Sequence, residues 1–369
     1  MLATYRRYDI DWLRVIAIGL LLIYHVAIGF QPWGVMIGFI TNKDPWPALW
    51  ILMAMINIWR IPLLFFVSGM GVYFAIRQRN WKQLFMERAG RILLPFLFGI
   101  FFIVPVHIYL WQENYHLTHR YSPNPGHLWF LGNIFIYVVV LSPFFFYLKR
   151  NEEGKIAQFI KKIVSSLPGL LVVIAAFVAE ALIINPRPYE LYAMTWHGFF
   201  LGLLAFFFGF CFVLSGQSFW EMIRKWRWLF LISAVTFFII RIKLFRQFSP
   251  NYLVAIESGC WIFSAFAFGF KYLNHPGKAL SYLSKAAYPV YIIHMIFLYL
   301  GSLLIFPLNI IAPLKFIIIL AFTGAGCFTL YELVIRRVRI IRPLFGLKTG
   351  QKSPFPPIEG SASLSKEKR

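Results

Sequence analysis

Residues 12–30 of the chain read WLRVIAIGLLLIYHVAIGF. About 20 predominantly apolar residues in helical conformation cross a bilayer core, and this stretch approaches that length with only Arg14 and His25 interrupting it. Nine further stretches of the same character follow, over residues 48–74, 92–111, 128–148, 163–184, 198–214, 228–240, 253–270, 288–307 and 314–335. Alternation of apolar and polar residues is absent, which excludes a β-barrel. The expected fold class is all-α, a polytopic transmembrane helix bundle of about ten spans. The seventh stretch is short, and Arg241, Lys243 and Arg246 behind it would have to snorkel toward water.

Composition agrees with this reading. Of 369 residues, 60% are apolar, 20% aromatic and only 14% charged, with a mean hydropathy of +0.69, whereas a soluble domain carries about 25% charged residues. Too little polar surface remains to clothe a water-facing globule, and disorder and collagen are excluded as well. Cys211, Cys260 and Cys327 each lie inside an apolar run without metal-ligand spacing, so they read as core residues and not as a disulfide framework. A net charge of +22 would suit nucleic acid in a soluble protein. In a membrane chain it marks one side of the bilayer.

With the N-terminus inside, 27 of the 36 Lys and Arg fall on the cytoplasmic side and 6 on the other, while Arg14, Arg60 and Lys315 lie within spans. This skew predicts an N-in and C-in topology. The first stretch follows Arg6 and Arg7 as a secretory signal would, yet Arg14 and His25 break its apolar run, so it is read as a retained helix. Residues 1–345 are expected to form one membrane domain, and residues 346–369, rich in Gly, Ser, Pro and Lys, a disordered cytoplasmic tail.

Charged and titratable groups inside a span are costly enough to be candidates for function. Arg14 and His25 are eleven residues apart, three helical turns plus about 20°, which puts them on one face and ~16 Å apart along the axis. A functional pair would account for them, and so would a snorkelling arginine with a hydrogen-bonded buried histidine. Arg88 and Arg91, spaced i,i+3, suit phosphate and equally suit ordinary positive charge at the cytoplasmic boundary. Tyr288, Tyr291 and His294, three residues apart, are expected to stack along one stripe. Arg60, with Asn57 before it and Pro62 after it, needs an anionic partner from a ligand or from the protein, or helix-end carbonyls. Near the outer ends of spans, His107, His127, Glu180, His197 and Glu257 suggest, with His25, a polar chamber opening outward. Each would equally be accounted for as an interfacial polar residue where water returns; in the chamber reading Glu257, the deepest carboxylate, would assist His25.

These residues carry a resemblance. Arg14-x10-His25, Phe65-Phe66-Val67-Ser68-Gly69, Arg88-x-x-Arg91 and Tyr288-x-x-Tyr291-x-x-His294, in this order, resemble the integral-membrane acyltransferase family three over residues 6 to about 340. Tyr8 to Arg14, Trp59-Arg60-Ile61-Pro62 and His127-Leu128-Trp129-Phe130-Leu131 are similar to its branch containing glucans biosynthesis protein C. The resemblance implies a multi-pass protein of the bacterial inner membrane. Such a protein moves an acyl group, succinyl or acetyl, from cytoplasmic acyl-CoA onto sugar hydroxyls of an osmoregulated periplasmic glucan or another envelope polysaccharide. No metal and no permanently bound cofactor are implied; the partners are acyl-CoA, the glycan and the lipid bilayer, without nucleic acid.

Taken with the chemistry of the residues, the resemblance assigns His25 as general base assisted by Glu257, and Arg14, Arg88, Arg91, Ser68, Tyr291 and His294 to acyl-CoA binding. Arg60 would recognise the acyl group through a terminal carboxylate, and His127, Trp129 and His197 would stand on the acceptor side. The ~16 Å between Arg14 and His25 is comparable to an extended pantetheine arm. An alternative is a transporter or flippase of an anionic lipid-linked saccharide, with Arg14, Arg60 and His25 lining its path. Against it stand the lack of a half-to-half repeat and the location of Arg88 and Arg91 where a cytosolic nucleotide would dock.

Overall fold

A computed structural model describes residues 7–245 and 249–348. Its ten membrane-length helices are Tyr8–Ile28, Leu49–Arg77, Trp81–Asn114, Gly126–Arg150, Leu167–Ile184, Trp196–Leu214, Arg227–Phe245, Asn251–Tyr272, Lys278–Ile305 and Ala312–Ile335, here spans 1 to 10. No strand occurs among the described residues. Helices are what the bilayer demands, because each satisfies its own backbone where no water can. An even number of spans brings residues 7 and 348 to one face of the bundle, the terminal face. The opposite face is called distal. Arg6, Arg246 and the expected tail from residue 349 onward lie outside the described residues.

Each predicted stretch is a helix, and the short seventh one corrects the expectation for Arg241. Its helix continues through a π turn, Arg241–Phe245, so Arg241 is buried inside the bundle and does not snorkel. The three cysteines are free and buried, as core residues should be.

Spans 2 and 6 make the closest crossing, and glycine permits it. A Cβ on Gly69 would stand 1.9 Å from the Phe206 carbonyl oxygen, and one on Gly209 would stand 2.1 Å from that of Phe66. Each helix thus lays a glycine on the other's backbone one turn along from its partner's glycine, which is how lipid-embedded helices gain contact without a hydrophobic drive. Phe66 stacks on Phe212 beside this crossing, with ring centroids 5.3 Å apart. Span 1 occupies the centre of the bundle, against spans 2, 8, 9 and 10.

Proline also shapes span 2. Pro62 has no N–H, so the carbonyl of Ile58 one turn earlier is left without its helical donor. Tyr192 Oη, from the loop between spans 5 and 6, donates to it at 3.1 Å, and Ser258 Oγ of span 8 donates at 2.7 Å. Burial pushes the Tyr192 phenol well above its usual range, so it stays protonated and remains a donor. The loop is further tied by Asn57 Nδ2, which donates to the Glu190 carbonyl at 3.3 Å. A gap in one helix ladder therefore fixes a distal loop over the middle of the bundle.

Candidate active site

A cavity of about 1140 Å³ lies between spans 1, 2, 3, 4 and 9. It exceeds the roughly 300–1,000 Å³ of a usual small-molecule pocket. At its terminal end stand Arg14, Ser68, Arg88, Arg91, Ser284 and Lys285. Its middle holds Tyr24, His25, Arg60 and Tyr291. At the distal end it is lined by His107, Asn124, His127 and the loop residues Glu190 to Met194.

Arg14 and His25 both face this space, as eleven-residue spacing on a regular helix requires. His25 Nδ1 lies 2.8 Å from His294 Nε2, and the two rings are stacked at 5.1 Å. The proton positions follow from the next partner. His294 Nδ1 lies 2.7 Å from the Tyr291 carbonyl oxygen, which can only accept, so His294 carries its proton on Nδ1 and presents a lone pair at Nε2. His25 must then donate through Nδ1. In the neutral pair this leaves His25 Nε2, which has no partner among the described residues, with an available lone pair. Phe39 closes the other side of the ring, edge-on at 5.7 Å.

His294 itself does not line the cavity and is fully buried. The expected stripe of Tyr288, Tyr291 and His294 drifts, because each three-residue step falls about 60° short of a full turn. Tyr288 and Tyr291 reach the cavity, while His294 turns behind His25, where it can orient the ring but cannot touch a donor. Tyr291 Oη donates to the His127 carbonyl at 2.6 Å, and His127 Nε2 donates to the Ile292 carbonyl at 3.0 Å, so spans 4 and 9 are cross-tied at the site. His127 and Trp129 both line the cavity.

Arg60 is 1% exposed. Its Nη2 donates to Asn57 Oδ1 at 3.0 Å, and its guanidinium lies 4.6 Å over the Tyr24 ring. Asn57 Nδ2 in turn donates to Tyr24 Oη at 2.9 Å. Arg60 Nε and Nη1 are buried without a hydrogen-bond partner among the described residues. No carboxylate among those residues pairs with it, although its charge is close enough to act on both His25 and His294.

Besides His294, two expected site residues are placed elsewhere. Glu257 does not stand with His25: its carboxylate takes Arg241 Nε at 2.5 Å and Nη2 at 3.1 Å, and Arg241 Nη2 also donates to the Ala54 carbonyl at 2.9 Å. With both oxygens engaged by Arg241, the carboxylate is committed to the seam and does not reach the His25 imidazole. His197 is not in the cavity wall either. Its Nδ1 lies 2.9 Å from Glu180 Oε1, and its ring stacks on Tyr192 at 5.1 Å, so it supports the distal loop from behind. Of the residues expected to form a polar chamber, His25, His107 and His127 line the cavity, and Glu180, His197 and Glu257 do not.

Near the terminal face, Ser68 Oγ donates to the Leu64 carbonyl at 2.7 Å and lies in the cavity wall, while its neighbour Gly69 faces span 6. Arg88 closes the first helical segment of span 3, and Arg91 lies in a π turn over Ala89–Leu93. Both still reach the cavity, and Arg88 Nη2 donates to the Gly71 carbonyl at 3.3 Å. Sequence reasoning missed Tyr24, which joins His25 to Arg60, and the loop around Glu190. It named Asn57 without seeing that one amide would tie Arg60, span 1 and that loop.

No curated protein and no solved structure matches the chain. A model for a family described as an acyltransferase domain matches residues 7–332, nearly the whole membrane bundle and every cavity residue on spans 1 to 9. The chain is therefore a multi-pass membrane member of acyltransferase family three.

Proposed function

We propose that this acyltransferase takes a succinyl or acetyl group from acyl-CoA at a cytoplasmic terminal face and delivers it to a sugar hydroxyl of a periplasmic glucan or related envelope polysaccharide at the distal face of a bacterial inner membrane. The observation that carries the reading is the continuous cavity that joins the basic cluster of Arg14, Arg88 and Arg91 to the open Nε2 of His25. Phosphates at the cluster would leave the pantetheine arm to run along span 1, bringing the thioester to His25.

In the reaction, His25 Nε2 removes the proton from the sugar hydroxyl as its oxygen bonds to the thioester carbonyl carbon. The carbon–sulfur bond breaks, the CoA sulfur takes the proton back, and an ester and free CoA result. His294 holds the His25 ring in the required tautomer and accepts from Nδ1 throughout. Arg60 is assigned to the acyl group: a succinyl donor brings a terminal carboxylate, and Nη1 or Nε of Arg60, both without a partner among the described residues, can donate a charge-assisted bond to it. Arg14, Ser68 and Tyr291 line the donor's path, and His127 and Trp129 the acceptor's.

The test uses detergent-purified protein. The reading requires CoA to bind, and His25→Ala to lower acyl transfer by about 10²–10⁴-fold with CoA affinity retained. A protein that binds no CoA, or a His25→Ala variant that transfers normally, would overturn it.

A further inference from the structure

Beyond the tenth span the chain turns back across the terminal end of the cavity. Arg336 pairs with Glu332 through bonds of 2.6 and 2.8 Å, and Arg342 Nε donates to the Arg336 carbonyl at 3.0 Å, which folds the segment sharply. A 3-10 turn follows at Arg342–Phe345, and Phe345 is buried against Phe98 of span 3 with ring centroids 5.5 Å apart. Gly346 then adopts φ 69°, in the left-handed region that disfavours a side chain. A Cβ there would stand 2.3 Å from the Tyr288 ring and 3.0 Å from the Arg91 carbonyl oxygen. The strap is thus seated between spans 3 and 9 at a position where only glycine fits, and Gly346, Leu347 and Lys348 become part of the cavity wall.

This adds charge where charge is already concentrated. Arg14, Arg88, Arg91, Lys285 and Lys348 line one end of one cavity. The nearby acids are occupied: Asp11 pairs with Arg14 at 3.3 Å, and Glu87 with Arg79 at 3.1 Å and Arg91 at 3.2 Å. Neither Lys285 nor Lys348 has an ion pair among the described residues. Two buried donors also lack partners there, Arg88 Nε and Tyr288 Oη.

Resting on the donor reading above, we propose that the strap is a wall of the site for the donor's nucleotide, and that Lys285 and Lys348 bind its phosphates together with Arg88 and Arg91. Anchoring the strap to Gly346 brings Lys348 to the cavity, so the nucleotide is held between a span and the returning chain. A donor without the nucleotide does not feel the strap.

The experiment compares acyl-CoA with the acyl-pantetheine carrying the same acyl group, and measures binding of free CoA, for wild type, Lys285→Gln, Lys348→Gln, the double variant and Gly346→Val. Each lysine variant is expected to raise KM for acyl-CoA roughly tenfold, the size of one lost charge-assisted contact, with kcat kept and acyl-pantetheine kinetics unchanged. Lys285→Arg and Lys348→Arg should restore most of the affinity, and Gly346→Val should act like the double variant. If wild type binds CoA and both lysine variants bind it equally well, the strap proposal falls while the donor reading stands. If the variants impair acyl-pantetheine as much as acyl-CoA, the strap supports the fold only and the proposal is again overturned. A wild type that binds no CoA removes both.

Discussion

Two arginines are buried to the same depth in this bundle, each 1% exposed, and their surroundings differ in one respect. Arg241, in the seam between spans 2, 7 and 8, has the carboxylate of Glu257 at 2.5 Å, the Ala54 carbonyl at 2.9 Å and the carboxylate of Glu190 at 3.6 Å. Arg60, in the cavity wall, has one amide oxygen, one aromatic face and two nitrogens without partners among the described residues. A charge in a low-dielectric interior has to be met by another charge or by a ligand that brings one. The first arginine is part of the scaffold, and the second is the one that the proposed function gives an anion to receive.

The largest effect is expected at the scaffold. Arg241→Gln strands the buried Glu257 and should lower stability by about 3–5 kcal/mol, read as a fall in detergent melting temperature and folded yield. Pairing it with Glu257→Gln should recover much of the loss, since no unpaired charge then remains. An Arg241→Gln protein that melts with wild type would mean the seam does not depend on the pair.

Arg60→Gln should do the opposite, leaving the melting temperature nearly unchanged while the preference for succinyl over acetyl donors falls roughly 10–100-fold, the range for bonds to a charged group. Equal loss of both donors, or a wild type that prefers acetyl, would remove Arg60 from acyl recognition. The smallest effect, and the sharpest, is at Asn57. Asn57→Asp gives Arg60 an internal anion, turning it into a second Arg241. Because the same change removes the amide bonds to Tyr24 Oη and the Glu190 carbonyl, we expect no net gain in stability, and about a threefold to tenfold loss of anionic-donor preference, with neutral donors spared. Unaltered selectivity in that variant would show that the orphan nitrogens are not what distinguishes donors.

How much of this was legible in the sequence depended on whether the relevant distance ran along one helix. The ten spans were legible because apolar runs of bilayer length have few alternatives. Arg14 and His25 could be placed on one face because span 1 is a regular helix throughout. Three-residue steps misled at His294, where the drift carried the ring behind the site and gave it a different partner. The π turn at Arg91 has no apolar-pattern signature.

One further pair was hidden but not silent. Arg241 and Glu257 are about equally far from the connection between spans 7 and 8, whereas Glu180 stands a turn inside span 5 and His197 at the very start of span 6. In an antiparallel helical hairpin, positions equidistant from the turn come level with one another, so residue spacing pointed from Arg241 toward Glu257 and gave no such register for Glu180 and His197. His25 and His294 are 269 residues apart and had no such signal.

The cavity also has an electrical consequence. Its lining extends from Arg14 near the terminal face to Asn124 and Met194 near the distal one, and a cavity of that reach, where it holds water, thins the insulating slab across which a membrane potential is held. Hydronium and sodium would be the ions driven through it. A fixed positive charge in the wall of a narrow path raises the energy of any cation that comes alongside, as an arginine does in water-selective pores. Arg60 supplies that charge midway, and the arginines and lysines at the terminal end repeat it. On the proposed function, the guanidinium assigned to the acyl group would therefore also be a barrier to leak through the path that the acyl group takes.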